Sequence, residues 1–327
     1  MTTYGDISPR TAAYAAKDLL ERAVPYLVFE HVAQPKPIPS RSSKTIIFRR
    51  YNALDATPNA LTEGVTPAGK TLSKTDVQAT LVQYGDLIEL TDVIQDTHED
   101  PVFQESFDIL SEQAAEMLER VRFDIFKAGT NVVYANGTAR SDVNSVLTLQ
   151  VQRKITRALK RQNAKYITKK IASTPNFNTE PVAPAFIAVC HPDCENDIRN
   201  MDGFVPIEKY GHTPPFEMEI GKVEDVRYLA STVIEPWVSA GGDPTVNNVL
   251  SGNGTNADVY PILYFGANAV GIVPFKGKNV VTPTVVNPKP SAADPLGQRG
   301  YVGWKALHTA VILNDAWMCR AEVAVSA

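Results

Sequence analysis

Residues 101–127, PVFQESFDILSEQAAEMLERVRFDIFK, constrain the fold of this chain more than any other stretch. Apolar side chains recur at Phe103, Phe107, Leu110, Ala114, Met117, Val121 and Ile125, at intervals of 4, 3, 4, 3, 4 and 4 residues. That is the period of one face of an α-helix. Pro101 suits a first helical turn, and Gly129 lies just past the end. Such a rod is about 40 Å long, whereas globular helices average roughly 11–12 residues. It follows a long, mostly polar β-ribbon. A ribbon that cannot bury itself, joined to an oversized strut, points to a subunit built for assembly more than for chemistry.

The ribbon begins with a strand over 46–54, IIFRRYNAL, and returns over 77–94, VQATLVQYGDLIELTDVI. In the returning strand Val77, Ala79 and Leu81 occupy odd positions, and Val82, Tyr84, Ile88 and Leu90 occupy even ones. The apolar face therefore changes sides near Val82, with Gly85 close by, and a bulge or sharp bend is expected there. The ribbon should be packed at its base and free at its tip. The connection over 55–75 is far longer than a hairpin loop. It carries Thr57, Thr62, Thr66, Thr71 and Thr75 but no His or Cys, which favours a projecting arm over a catalytic lid. Before the ribbon, residues 11–22 read as a short amphipathic helix. Pro35, Pro37 and Pro39 favour an extended path. The first 45 residues thus read as an arm that needs something else to lie on, with a disordered tail as the alternative.

After the long helix, Asn136-Gly137 signals a tight turn between short strands. A helix is expected over 145–165, with Val146, Leu149, Ile155 and Leu159 inward. A buried strand follows over 185–190, and His191-Pro192-Asp193 opens a short helix to about Met201. Further short strands fall in 223–238, a Gly/Asn-rich loop spans 240–258, and two strands cover 259–266 and 269–275. The chain ends in a strand pair, VGWKALHTAVIL and MCRAEVAV, joined by a turn at Asn314-Asp315. Helices and strands are segregated more than alternated, so the class is α+β and not a doubly wound parallel sheet.

The 327 residues, 44% apolar, suffice for a sizeable core in two or three lobes. Three cysteines, Cys190, Cys194 and Cys319, do not make a disulfide framework and fit a reducing compartment. No signal peptide or membrane span is evident, so synthesis in the cytoplasm is expected. Cys190, His191 and Cys194 lack the remaining ligands of a structural zinc site, and Cys190 reads as a core residue. No strand–GxSxG–helix elbow is present, and Ser251-Gly252-Asn253-Gly254 lacks the lysine and helix of a phosphate loop, so it reads as a surface loop. No catalytic residue, cofactor or metal is expected.

Charge is the strongest remaining signal. The net charge of −4 gives no global pull toward nucleic acid. From Val143 to Thr179, however, there is no acid, while Arg153, Lys154, Arg157, Lys160, Arg161, Lys165, Lys169 and Lys170 all fall there. Arg153, Arg157, Lys160 and Arg161 share a helical face, open to phosphate contact, to solvent or to an acidic neighbour. The long helix carries Glu105, Asp108, Glu112, Glu116 and Glu119, expected on its outward face. Reciprocal acidic and basic faces suit head-to-tail contacts between copies.

Several segments together resemble the major capsid proteins of tailed bacteriophages of the coliphage N-four type, with the Hong Kong 97 phage capsid fold. They are ALTEGVTPAGKTLS (60–73), QYGDLIELTD (83–92), THEDP (97–101), LSEQAAEMLERVRFDIFKAGTNVVYANG (110–137), FIAVCHPDCENDIRN (186–200), GFVPIEKYG (203–211), YPILYFGANAVGIVP (260–274) and DPLGQRGYVGWKA (294–306). The resemblance implies an N-terminal arm (1–45), an extended loop (46–95) and a first peripheral part with the spine helix (96–145). An axial domain (146–282) and a second peripheral part (283–327) complete it. It implies self-assembly through hexamers and pentamers into an icosahedral virion shell around double-stranded DNA, and no catalytic residues. Thr66, Lys70, Glu112, Glu116, Arg153 and Arg157 are the expected subunit contacts; Lys160 and Arg161 are the possible DNA-facing residues. Some relatives cross-link through a lysine, but no cross-link is expected at Lys70. No long scaffolding segment precedes the arm, so a separate scaffolding protein is expected, beside portal and decoration proteins; no membrane is. An encapsulin-like shell around protein cargo is the structural alternative. A DNA-binding protein acting through 153–170, or an enzyme with a lid at 55–75, are alternatives of other classes.

Overall fold

The computed structural model describes residues 27–37, 43–61, 63–92, 102–171, 179–211, 215–273, 281–290 and 294–327. The helix expected over 11–22, most of the arm, Pro39 and Pro101 lie outside them. A 3-10 turn, Val28–His31, leads into β1 (Gln34–Pro35). β2 (Thr45–Tyr51) and β3 (Lys74–Thr80) form the ribbon, and β4 (Val82–Thr91) follows after a single residue. Helix α1 spans Val102–Phe126. Then come β5 (Val132–Tyr134), α2 (Leu149–Arg161), β6 (Ile167–Ile171), β7 (Thr179–Cys190) and α3 (Glu195–Arg199). β8 (Phe204–Pro206), β9 (Glu219–Val223), β10 (Val226–Ala230), β11 (Tyr260–Phe265) and β12 (Val270–Ile272) continue the chain. It closes with β13 (Val281–Val286), β14 (Arg299–His308), β15 (Ala310–Ile312) and β16 (Met318–Val323).

A mixed sheet in the order β5-β16-β11-β7-β10-β9-β8, with β6 beside β7, forms the centre. Its inner strands are buried on both faces, which is why YPILYF and AFIAVC read as unbroken apolar runs. Alternation survives in three dimensions. Phe186, Ala188, Cys190, Tyr228, Ile262 and Tyr264 face Ile155 and Leu159 of α2 and Ile198 of α3. Ile187, Val189, Leu229, Leu263 and Phe265 face the opposite way, toward Val28, Phe29, Phe123 and Phe126. Phe29, Phe126 and Phe265 pack edge to face, with centroids 5.3 to 6.1 Å apart.

A second sheet, β13-β14-β4, is antiparallel and lies on α1, where Leu110, Ala114, Ala115 and Leu118 meet Leu90, Val302, Trp304 and Ala306. The face change read near Val82 falls at Leu81, where the chain leaves β3 and joins another sheet. Among the described residues β3 pairs only with β2, whereas β4 runs along the whole of β14 from Val82↔His308 to Thr91↔Arg299. Leu81 is buried, and its N–H donates to the Lys44 carbonyl at 2.7 Å. The expected strand over 77–94 is therefore two strands.

Other expectations are corrected. The two terminal strands do not pair with each other: β15 pairs β12 and β16 pairs β11, because the buried apolar faces of those partners lie in different sheets. The turn at Gly137 (φ 68°) leads into a 3-10 turn at Arg140–Asp142, not a second strand; β5 pairs with β16 instead. Helix α2 starts at Leu149, with Thr148 as its cap, and stops at Arg161; Asn163 follows at φ 55°.

The largest correction concerns the buried face of α1. Met117, Val121 and Ile125 are only half-buried. The deepest line runs through Ser111, Ala115, Leu118, Glu119, Arg122 and Phe126. Glu119, expected on the outward acidic face, is fully buried, and Asp108 is also buried. The reason is an ionic knot. Arg122, wholly enclosed, donates to Glu119 Oε2 at 2.8 Å, to Glu30 Oε1 at 3.0 Å and to His308 Nε2 at 3.3 Å. Glu119 Oε1 accepts the Phe29 N–H at 2.5 Å. The knot joins the N-terminal segment, the helix and the end of β14. Burial, aided by the neighbouring Glu30 charge, pushes the Glu119 carboxyl up to about 7 against the pull of Arg122 and of the Phe29 N–H. Burial, aided by the Arg122 charge, pushes His308 well below the usual histidine range.

Removing Arg122 leaves buried carboxylates without their cation, so Arg122→Ala should lose about 3–5 kcal/mol in denaturant unfolding. The two titrations have opposite signs. Glu119 has a raised folded pKa, so its contribution is complete below pH 4.5 and is lost as pH rises through about 7. His308 has a depressed one, so its contribution is complete above pH 6.5 and is lost on acidification. Relative to the parent chain, stability of Glu119→Gln should rise more with pH, and that of His308→Gln should fall more. Unfolding midpoints across that range check both signs.

Candidate assembly surfaces

The ribbon has a fixed base. Ile46 and Phe48 on β2 pack with Leu81 and Val273. Gly271 permits this, since a Cβ there would lie 2.7 Å from the Phe48 ring. Lys36 sits 5.5 Å from the same ring, and the Arg50 guanidinium lies 5.7 Å from the Trp317 ring. Across the ribbon Arg49 bonds both oxygens of Asp76, at 2.8 and 3.0 Å. Asn52 N–H to Ser73 carbonyl, at 3.0 Å, is the last rung.

Beyond that rung the described loop residues are exposed. Thr66 is exposed, and Lys70 donates to the Asp55 carbonyl at 2.6 Å. Leu54, Leu61, Val65 and Leu72 are 51, 73, 63 and 73% exposed. Large apolar groups in that state on an otherwise polar loop are available to another surface.

Helix α1 turns its other face outward. Glu105, Ile109, Arg120 and Asp124 are exposed, and Glu112 and Glu116 are half-buried. Arg120 links Glu116 at 3.1 Å to Glu235 at 3.2 Å.

Helix α2 carries the basic face. Arg153, Thr156, Arg157, Lys160, Arg161 and Glu224 line an open groove of about 530 Å³. The two-residue hairpin turn Glu224-Asp225, between β9 and β10, reaches this face. Arg153 donates to Glu224 at 2.9 and 2.5 Å. Lys160 and the Tyr166 hydroxyl both donate to Asp225, at 2.5 and 3.0 Å. Hydrogen bonds from these partners hold both carboxyls below their usual range. Arg157 and Arg161 are exposed and have no ion pair among the described residues. The structure thus brings Arg153, Arg157, Lys160 and Arg161 together, and places Thr66 and Lys70 on the ribbon tip and Glu112 and Glu116 on α1.

Sequence reasoning missed Glu30, Arg122 and His308. An arginine inside an apolar helical stripe was the available signal. The three cysteines are buried and unpaired, with burial pushing the Cys319 thiol up to about 12. No metal-ligand cluster and no helix long and apolar enough to cross a membrane occur among the described residues.

A central mixed sheet, a long helix beneath a second sheet, and a projecting ribbon define the Hong Kong 97-like capsid class. The chain belongs to the phage capsid protein family, which matches residues 74–321. It is a major capsid protein, the repeated subunit of a virion shell. No curated protein matches it. Among solved structures it is similar to the capsid of Ralstonia phage GP4, with a TM-score of 0.70 at 11% identity over 93% of this chain and 90% of that one. The capsid of cyanophage Pam1 gives 0.62 at 12% identity over 93% and 92%. An encapsulin complex from Synechococcus elongatus gives 0.53 at 11% identity over 90% and 86%. At these identities the likeness is one of fold.

The ribbon's two ends should respond differently to substitution in the isolated subunit. Phe48→Ala should cost about 3–5 kcal/mol, and Leu61→Ser should stay within about 0.5 kcal/mol. Chemical denaturation measures both, and a large loss for Leu61→Ser would tie the tip to its own chain.

Proposed function

We propose that many copies of this chain, as hexamers and pentamers, close an icosahedral shell around double-stranded DNA, with the ribbon tip lying on a neighbouring copy. The observation that carries this reading is the pairing of a firmly anchored ribbon base with four exposed apolar residues at its tip. Each such side chain is worth about 1.5–3 kcal/mol when fully buried, so repeated contacts add up across a shell. On this reading residues 1–45 are an arm, 46–95 the extended loop, 96–145 and 283–327 the peripheral parts, and 146–282 the axial domain. Thr66 and Lys70 contact the neighbour from the loop. Glu112 and Glu116 on α1, and Arg153 and Arg157 on α2, offer opposite charges to adjoining copies.

The role is structural, with no catalytic step. The chain is made in the host cytoplasm and works with separate scaffolding, portal and decoration proteins. Of the two residues read as DNA-facing, Lys160 is held by Asp225, whereas Arg161 keeps its charge available beside Arg157.

Replacing residues 53–72 with an Asn-Gly turn closes the ribbon at its last rung. The variant should remain folded and soluble but form no shells by electron microscopy; normal particles would defeat the reading. Arg161→Glu separates assembly from contents. Shells should still form and should lose DNA with a steep salt dependence. Particles filled with protein instead of DNA would favour the encapsulin-like alternative.

A further inference from the structure

The chain contains two Asn-Gly pairs, Asn136-Gly137 and Asn253-Gly254, and the structure holds them in different hydrogen-bonding settings. Asparagine followed by glycine is open to attack by the glycine main-chain nitrogen on the side-chain amide carbon, because glycine has no Cβ to obstruct the approach. Whether attack occurs depends on the freedom of the amide and on what stabilises the developing charges.

Asn136 is tied at every polar atom. Its Nδ2 donates to the Asp142 carbonyl at 2.8 Å and to Asn144 Oδ1 at 2.9 Å, and its Oδ1 accepts the Asn144 N–H at 3.0 Å. A Cβ on Gly137 would collide with the Asp142 Cβ, so the turn packs closely on that side chain. The leaving nitrogen is held by two acceptors.

Asn253 is arranged otherwise. Its Oδ1 accepts the N–H groups of Thr255 and Asn256, at 2.8 and 3.1 Å. Its Nδ2 makes no bond among the described residues, and the residue is exposed. The Gly254 N–H donates to Ser251 Oγ at 2.9 Å, and Ser251 Oγ in turn donates to the Asn256 carbonyl at 2.6 Å. A Cβ on Gly254, at φ 73°, would meet nothing within 4 Å. Two N–H donors therefore face the oxygen that becomes negative during attack, an acceptor faces the proton that must leave, and the leaving nitrogen makes no bond among the described residues.

We propose that Asn253 is a self-modification site, at which the folded loop promotes loss of its own side-chain amide. Gly254 N forms a bond to Asn253 Cγ, the Cγ–Nδ2 bond breaks, and ammonia departs with the proton from Gly254. Water then opens the five-membered imide at either carbonyl, giving aspartate or isoaspartate and one new negative charge per copy. The aspartate product keeps both N–H bonds to its side-chain oxygen. The isoaspartate product adds a methylene to the main chain of a loop that also holds the C-terminal segment just past β16, through Leu250 N–H to the Val325 carbonyl at 2.8 Å. In a shell this charge would accumulate with age over every subunit.

The test is incubation of the full chain in mildly alkaline buffer, with peptide mass mapping and enzymatic methylation of isoaspartate. In the folded protein Asn253 should convert at least about tenfold faster than Asn136, a barrier difference of about 1.4 kcal/mol. In urea the two should convert at similar rates. Ser251→Ala should slow Asn253 in the folded chain and leave the denatured rate unchanged, with Ser251→Thr restoring it. Equal folded rates at the two sites, or slower conversion of Asn253 when folded than when denatured, would overturn the proposal.

Discussion

The structure depends on one buried cation. Arg122 stands where three distant segments meet: residues 28–31, the last turns of α1 and the end of β14. An arginine removed from water is costly unless its donors are met, and here three acceptors meet them. The arrangement is worth more as a specification than as a source of stability. The placement seen here of the N-terminal segment, the helix and β14 satisfies Arg122. That placement aligns Phe29 with Phe126 and Phe265, and so sets one face of the central sheet.

From that junction the architecture extends in two directions. The helix carries the β13-β14-β4 sheet along its length, and β4 continues beyond the change of sheets at Leu81 into the ribbon. The ribbon base is locked by Phe48 against Gly271, so the body sets the direction in which the tip projects. On the far side of the central sheet, α2 presents its basic face, with two of four cations neutralised by the Glu224-Asp225 turn. Rigid bodies with directed arms and charged faces are what repeated contact between copies requires.

Much of this was legible in the residues, and the exceptions share a cause. The long helix and the break near Val82 followed from local periodicity, which needs no partner to be read. Burial of Glu119 and Arg122 did not, because their partners lie 90 and 186 residues away at Phe29 and His308. A helical wheel places unpaired charges outward. The separate destinations of β15 and β16 were likewise hidden, since a short turn favours pairing of its flanking strands until other partners offer more burial. At the surfaces, the basic run was visible, but the pairing of Lys160 with Asp225 across 65 residues was not.

On the proposed reading, the ribbon tip is exposed in one chain so that it can be covered by another. Hydrogen exchange of the backbone amides in residues 53–72, compared between free subunits and assembled shells, tests this most directly. Rapid exchange in the free subunit and strong protection in the shell are expected, while amides of β10 and β11 stay protected in both. Equally rapid exchange of the tip in both states would contradict it.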